Sequence, residues 1–177
     1  MKKRALLVTL ALTAVLALSA CGKDDPGRNG AAAVDSKTKT ENGSGSETAT
    51  TLSASEIADQ IKSQVTFDKE MVSQDATVAT NYFSLPDTAT SALYFSSDVE
   101  CFDTLGVFEC ASEADATEVK NSIDMYVTGV KEQAQKYKPE EGDKTDHAIV
   151  KVSGKIAVIC ITSDYSNAET VINSIVK

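Results

Sequence analysis

From residue 52 onward the chain switches between apolar positions spaced for helices and short blocks spaced for strands. Leu52-Ser53-Ala54-Ser55-Glu56-Ile57 reads as a helix start, with Ser53 as cap and Glu56 reaching back to it. Ile57, Ile61 and Val65 then recur at intervals of four, predicting a helix that ends between Val65 and Phe67. Residues 68–90 are less regular. Met71, Val72, Val78, Tyr82 and Phe83 suggest a second short helix ended by Pro86-Asp87. Two strand-like blocks follow, Ser91 to Ser96 and Leu105 to Cys110, joined by a loop from Asp98 to Thr104.

The longest pattern begins at Ser112. Acidic residues (Glu113, Asp115, Glu118) crowd its first turns and lysines (Lys131, Lys136, Lys138) its last, as the helix dipole favours. Val119, Ile123, Tyr126, Val127, Val130, Ala134 and Tyr137 form its apolar stripe, and Pro139 stops it. The stripe would serve a coiled coil or the domain's own sheet, and its length of about three heptads favours the sheet. Glu140 to Asp146 reads as a polar loop. Ala148, Val150 and Val152 alternate with His147, Ile149 and Lys151 like a half-buried strand, and Ser153-Gly154 is a turn signal. Ile156 to Ile161 is apolar on both faces and should be an interior strand. Ser166 and Glu169 suggest a capping box for a last amphipathic helix through Val171, Ile172, Ile175 and Val176.

The predicted class is α+β. An antiparallel sheet of about four strands carries helices mainly on one face, in a β-β-α-β-β-α core preceded by an N-terminal helix.

Residues 1–51 have a different character. Met1-Lys2-Lys3-Arg4 is cationic, and Ala5 to Leu18 is apolar apart from Thr9 and Thr13. This has the length and flanks of a signal peptide rather than a permanent span. Ser19-Ala20 then precede Cys21. The segment resembles the lipobox of bacterial lipoproteins. That resemblance implies cleavage after residue 20, a diacylglyceryl (palmitate-type) thioether on Cys21, and attachment to the outer face of the cell membrane. Two chains on one Cys make stable an attachment that one chain makes only marginal. Residues 22–51 are mostly Gly, Ser, Thr, Asn, Asp, Ala and Lys, without an aromatic side chain. They cannot bury enough apolar surface to offset ordering entropy, so a flexible linker with a mean span of ~30 Å is expected. The expected organisation is therefore a signal peptide at 1–20, lipidated Cys21 and linker at 21–51, and one domain at 52–177.

Charge narrows the partners. The whole chain carries −9, and residues 52–177 hold 10 lysines and no arginine against 21 carboxylates, a net of −11. So acidic a domain repels phosphate backbones, which argues against nucleic acid as a partner. The bilayer, through acylated Cys21, and an unknown protein or small-molecule ligand remain.

Within the domain, the strand with Tyr94-Phe95, the strand Val107-Phe108-Glu109-Cys110 and the helix start Ser112-Glu113-Ala114-Asp115-Ala116 form a recognisable set. Tyr137-Lys138-Pro139-Glu140, the hairpin Val152-Ser153-Gly154-Lys155 and the run Ile156 to Ile161 complete it. Together these are similar to a domain family of unknown function that occurs on Gram-positive lipoproteins. The resemblance implies a location and a fold and brings no catalytic residues.

Candidate chemistry is sparse, and no catalytic, cofactor-binding or metal-ligating residue is assigned. His147 is the only imidazole, lies beside Asp143 and Asp146, and lacks a G-x-S-x-G partner motif; an exposed edge residue is expected. Cys101 has the acidic neighbours Glu100 and Asp103, which disfavour a thiolate. Cys110 and Cys160 fall in strand patterns, as small buried hydrophobes do. A Cys110–Cys160 or Cys101–Cys160 bridge is open to the chain. With three cysteines besides Cys21, at least one thiol stays free or pairs with another molecule. The acidic loops Asp98-Glu100-Asp103 and Glu140-Glu141-Asp143-Asp146 supply oxygen ligands of the kind Ca²⁺ takes, without the EF-hand spacing. Tyr82-Phe83 and Tyr165 are the aromatics that an exposed platform would use. The function expected is a lipid-anchored, non-catalytic binding module. A cell-envelope hydrolase or metal-dependent enzyme is the alternative, and an envelope spacer a third reading.

Overall fold

The computed structural model describes residues 52–177; the segment carrying the expected signal peptide, Cys21 and linker lies outside the described residues. Helix α1 (Ala54–Gln64) starts as its sequence requires. Ser53 Oγ accepts the amide of Glu56 at 3.3 Å, and the Glu56 carboxylate accepts the amide of Ser53 at 2.8 Å. Strand β1 (Met71–Gln74) and helix α2 (Ala76–Tyr82) follow. The second helix expected to include Met71 and Val72 is thus a strand followed by a shorter helix. Asp75 divides them, its Oδ1 accepting the amide of Val78 at 2.9 Å as the N-cap of α2.

Strands β2 (Thr90–Ser96) and β3 (Thr104–Glu109) form an antiparallel hairpin with Leu93 opposite Gly106. Helix α3 (Glu113–Tyr137) is capped by Ser112, whose Oγ accepts the amide of Asp115 at 3.1 Å. The segment expected as a polar loop is helical instead: a 3₁₀ turn at Pro139–Glu141 runs into the short helix α4 (Gly142–Asp146). Pro139 ends α3 but is well placed to open a new turn, since its missing amide N–H would be unpaired there anyway. Strands β4 (Ile149–Ser153) and β5 (Ile156–Ile161) form a second hairpin, with Gly154 in the left-handed conformation at φ 54°. Ser153 pairs with Ile156, so the turn residues are Gly154 and Lys155, one position later than expected. Helix α5 (Tyr165–Ile175) ends the fold. Its N-cap is Asp164 rather than Ser166, and the Asp164 carboxylate accepts from the Thr66 amide and the Asn167 side chain instead of capping.

The class is α+β, with one antiparallel sheet in the order β1-β2-β3-β5-β4. It has five strands because of β1. The helices cover both faces rather than mainly one. Leu105, Val107, Val158 and Cys160 meet Ile57, Ile61, Ala168 and Ile172 of α1 and α5. Phe108, Ala157, Ile159 and Ile161 meet Ala79 of α2 and Val119, Ile123 and Val127 of α3. The cause is legible in β5, all six of whose residues are buried. A strand that is apolar on both faces requires a layer on each. Val119, Ile123, Tyr126, Val127 and Val130 of the α3 stripe pack into the core on this sheet, Ala134 is buried, and Tyr137 is exposed.

One close approach stands out. A Cβ on Gly106 would lie 2.8 Å from Ile159 Cγ2 and 3.0 Å from the Phe108 ring. The bare glycine lets β3 and β5 bring those side chains together under α2 and α3.

Candidate functional site

The loop between β2 and β3, the end of α2 and the middle of α3 enclose an open cleft of about 260 Å³. Three rings from three elements wall it: Tyr82 at the end of α2, Phe95 on β2 and Tyr126 on α3. Tyr82 meets Phe95 edge-on at 5.0 Å between centroids and Tyr126 edge-on at 6.0 Å. Phe95 and Tyr126 lie nearly parallel at 6.3 Å. Behind them Phe83 packs on both Tyr126 and Phe108, at 5.0 Å each, and anchors the aromatic wall in the core. The Tyr126 hydroxyl lies 3.3 Å from Thr104 Oγ1. Burial raises the pKa of this phenol, so it stays neutral as a polar point in an apolar wall. Asp98, Val99 and Cys101 form the loop side of the cleft, and Val99 and Tyr82 are among the exposed large apolar residues.

Under the loop side lies a buried ion cluster. Lys144 of α4 is 5% exposed. Its Nζ donates to Asp68 Oδ2 at 2.7 Å, Glu141 Oε2 at 2.8 Å and Asp103 Oδ1 at 2.9 Å, and lies 3.4 Å from Cys101 Sγ. Burial alone would lower the lysine pKa. The three carboxylates outweigh it and hold the ammonium above the ordinary lysine range. Asp68 is held below the usual carboxylate range by Lys144 first and by the hydroxyl of Ser163 second. The carboxylates also tie down backbone. Glu141 Oε2 accepts the Phe102 amide at 2.8 Å, and Asp103 Oδ2 accepts the Asp68 amide at 2.6 Å. The loop carrying the cleft's Cys101 and Phe102 is therefore clamped from below.

The cluster also answers the Ca²⁺ expectation. Asp103 and Glu141, one from each acidic loop, do come together, joined by Asp68. Ligand atoms of Asp68, Cys101 and Glu141 lie within 4.8 Å of one another. The place a cation would take among them is held by the Lys144 ammonium. Other members of the two loops have cationic partners as well: Glu100 pairs with Lys138 at 2.9 Å, and Asp146 reaches Lys131 at 3.9 Å.

The remaining candidates separate in space. His147 is exposed and stacks flat on Tyr165, with centroids 4.1 Å apart. Its Nδ1 lies 2.8 Å from the Asp143 carbonyl, and the residue is not part of the cleft. Cys110 and Cys160 are buried on opposite faces of the sheet, and the three described cysteines are free, so neither of the bridges left open by the sequence is formed. Burial pushes the Cys160 thiol up to about 12 and raises that of Cys110. Of the aromatic candidates, Tyr82 opens onto the cleft while Phe83 is core. Phe95, Tyr126, Lys144 and Asp68 escaped sequence reasoning, the two rings because they read as core. Lys144 sits in a polar run with no apolar neighbour to announce burial, and Asp68 lies 76 residues away from it.

The fold and cleft define a single sheet-and-helix domain with a small aromatic recess at one end of its sheet. Residues 63–162 match the model of a domain of unknown function, DUF4358. The chain belongs to that family. The matched segment contains the three cleft rings and the Lys144 cluster apart from Ser163. No curated protein and no solved structure matches the chain. Among the described residues no helix is long and apolar enough to cross a membrane.

Proposed function

We propose that this protein is a membrane-anchored extracytoplasmic lipoprotein of the Gram-positive kind, and that its domain is a non-catalytic module binding a small ligand in the aromatic cleft. The observation that carries the binding part is the cleft itself: about 260 Å³ of open space with a wall of three packed rings from α2, β2 and α3. Concave apolar recesses with a few polar points are where small molecules bind, and this one falls just below the usual range of about 300–1,000 Å³ for drug-sized ligands. The ligand is correspondingly small. The anchoring part is supported by the charged start, apolar run and Ser19-Ala20-Cys21 of the leader, followed by a linker without aromatic residues.

The metal-dependent alternative has one observation in its favour, the Asp68, Cys101 and Glu141 ligand atoms gathered beside the cleft. A divalent ion there must displace an ammonium hydrogen-bonded to three carboxylates, a costly exchange. The binding module is the better reading.

Two measurements test it. Cells fed labelled palmitate should incorporate label into the wild-type chain and not into Cys21→Ala, which should leave the membrane fraction. A thermal-shift screen of the full chain in nonionic detergent should find small organic ligands that raise the melting temperature by mass action, with divalent cations flat. Stabilisation by a divalent ion that Lys144→Met strengthens would favour the metal reading instead.

A further inference from the structure

We propose that the cleft takes a small organic cation, an alkylated ammonium group on a short apolar body. This rests on the cleft being the ligand site and adds the chemistry of the ligand. Three features point the same way.

One wall is aromatic. Tyr82, Phe95 and Tyr126 pack on one another along one side of the open space, and aromatic rings attract cations through their quadrupole. This chain already seats one ammonium in that manner: Lys62 Nζ lies 3.9 Å over the centre of the Tyr94 ring.

The charged residues that line the cleft are of one sign, although Lys138 stands near Asp98 on the outer side of the loop. The charged lining residues are Asp98 and Asp103, with no lysine, arginine or histidine among them. The cluster behind sets one ammonium, Lys144, against Asp68, Asp103 and Glu141, a net of −2 next to a low-dielectric recess. An anionic ligand is repelled there, and the Lys144 ammonium is turned to its carboxylates and nearly inaccessible at 5% exposure. The wider domain reinforces the field, with its net of −11.

The recess suits an alkylated ammonium better than a metal ion. Rings and Val130 line much of it, and they offer apolar contact rather than the six or more oxygens a hard divalent cation takes. A methylated ammonium has a diffuse charge and an apolar surface and loses little hydration on entering such walls.

The test is isothermal titration of the full chain in nonionic detergent with three probes of nearly one shape. These are choline, its uncharged isostere 3,3-dimethylbutan-1-ol, and the anion 3,3-dimethylbutyrate. Choline should bind, the alcohol about tenfold more weakly or less well still, and the anion not at all. Added salt should weaken choline and leave the alcohol unchanged, since ions screen charge over about 10 Å at 0.1 M. Asp98→Asn, which keeps an oxygen for the Glu100 amide, and Tyr82→Ala, at a half-exposed helix end, should each weaken choline while melting near the wild type. Alcohol binding as tight as choline overturns the cation assignment and leaves the cleft as a site for neutral ligands. No choline binding, or choline binding that both variants leave unchanged, overturns it as well. In the unchanged case the cleft is also removed as the site.

Discussion

Lys144 Nζ lies 2.9 Å from Asp103 Oδ1, and both side chains are sealed from solvent at 5% and 0% exposure. The pair links α4 to the start of β3 across 41 residues and completes a cluster with Asp68 and Glu141. Buried charges that keep their partners are tolerated, whereas one stripped of its partner is strongly destabilising.

Lys144→Met should therefore lower unfolding free energy by about 3–5 kcal/mol in urea melts, because it strands the buried Asp103 carboxylate. The contrast is Lys120→Ala, which breaks the exposed Lys120–Asp124 pair of α3 and should change stability by about 0.5 kcal/mol or less. Equal effects from the two changes would remove the cluster from its clamping role.

Acid should act through Asp68. Its folded pKa is depressed, so its contribution is fully present above the unfolded value of about 3.9 and is lost as pH falls through the lower folded value. Lys144 has the opposite sign. Its folded pKa is raised, so its contribution is complete below the unfolded value of about 10.4 and is lost only as pH rises through the folded one. Chemical denaturation across pH should show a loss below about pH 4 that Asp68→Asn flattens, and no loss from Lys144 before about pH 10.

Gly106→Ala probes the close approach of β3 and β5. The added methyl meets Ile159 and Phe108 within 3.0 Å, and overpacking of this kind typically costs about 1–3 kcal/mol. The variant should unfold at lower urea, and the cost of Gly106→Ala should be smaller when measured in an Ile159→Ala background, which lacks the Cγ2 that the new methyl meets.

Thiol chemistry should sort the cysteines. Alkylation of the native full chain, mapped by peptide mass spectrometry, should modify Cys101 at the cleft first. Cys110 and Cys160, buried and with raised pKa values, should react only after denaturation. Early labelling of Cys160 would show that the α1–α5 face opens readily.

How much of this was legible beforehand follows from what sequence patterns encode. The Ser53–Glu56 and Ser112 caps, the α3 stripe and the interior strand at 156–161 rest on local hydrogen bonds and periodicity, and all were readable. Strand β1 was not. Four residues with only Met71 and Val72 apolar carry little period-2 signal, and the register of β1 against Phe95 and Tyr94 decides their state. The two-sided cover of the sheet is implicit in the apolar run Ile156 to Ile161, since a strand apolar on both faces needs a layer on each. The candidate site was the least legible part. Tyr82, Phe95 and Tyr126 come from three elements, each looking like core within its own pattern. Lys144 meets Asp68 and Asp103 only through the tertiary fold, which no spacing rule announces.

The recess between α2, α3 and the β2–β3 loop is the proposed place where this protein meets its ligand. The most direct measurement is amide and methyl chemical-shift mapping of the full chain titrated with a ligand that raises its melting temperature. The largest changes should fall at Tyr82, from Phe95 to Thr104 and around Tyr126 and Val130, with small ones at His147 and Tyr165. Perturbations centred on the β4 edge or on His147, with residues 95–104 silent, would contradict it.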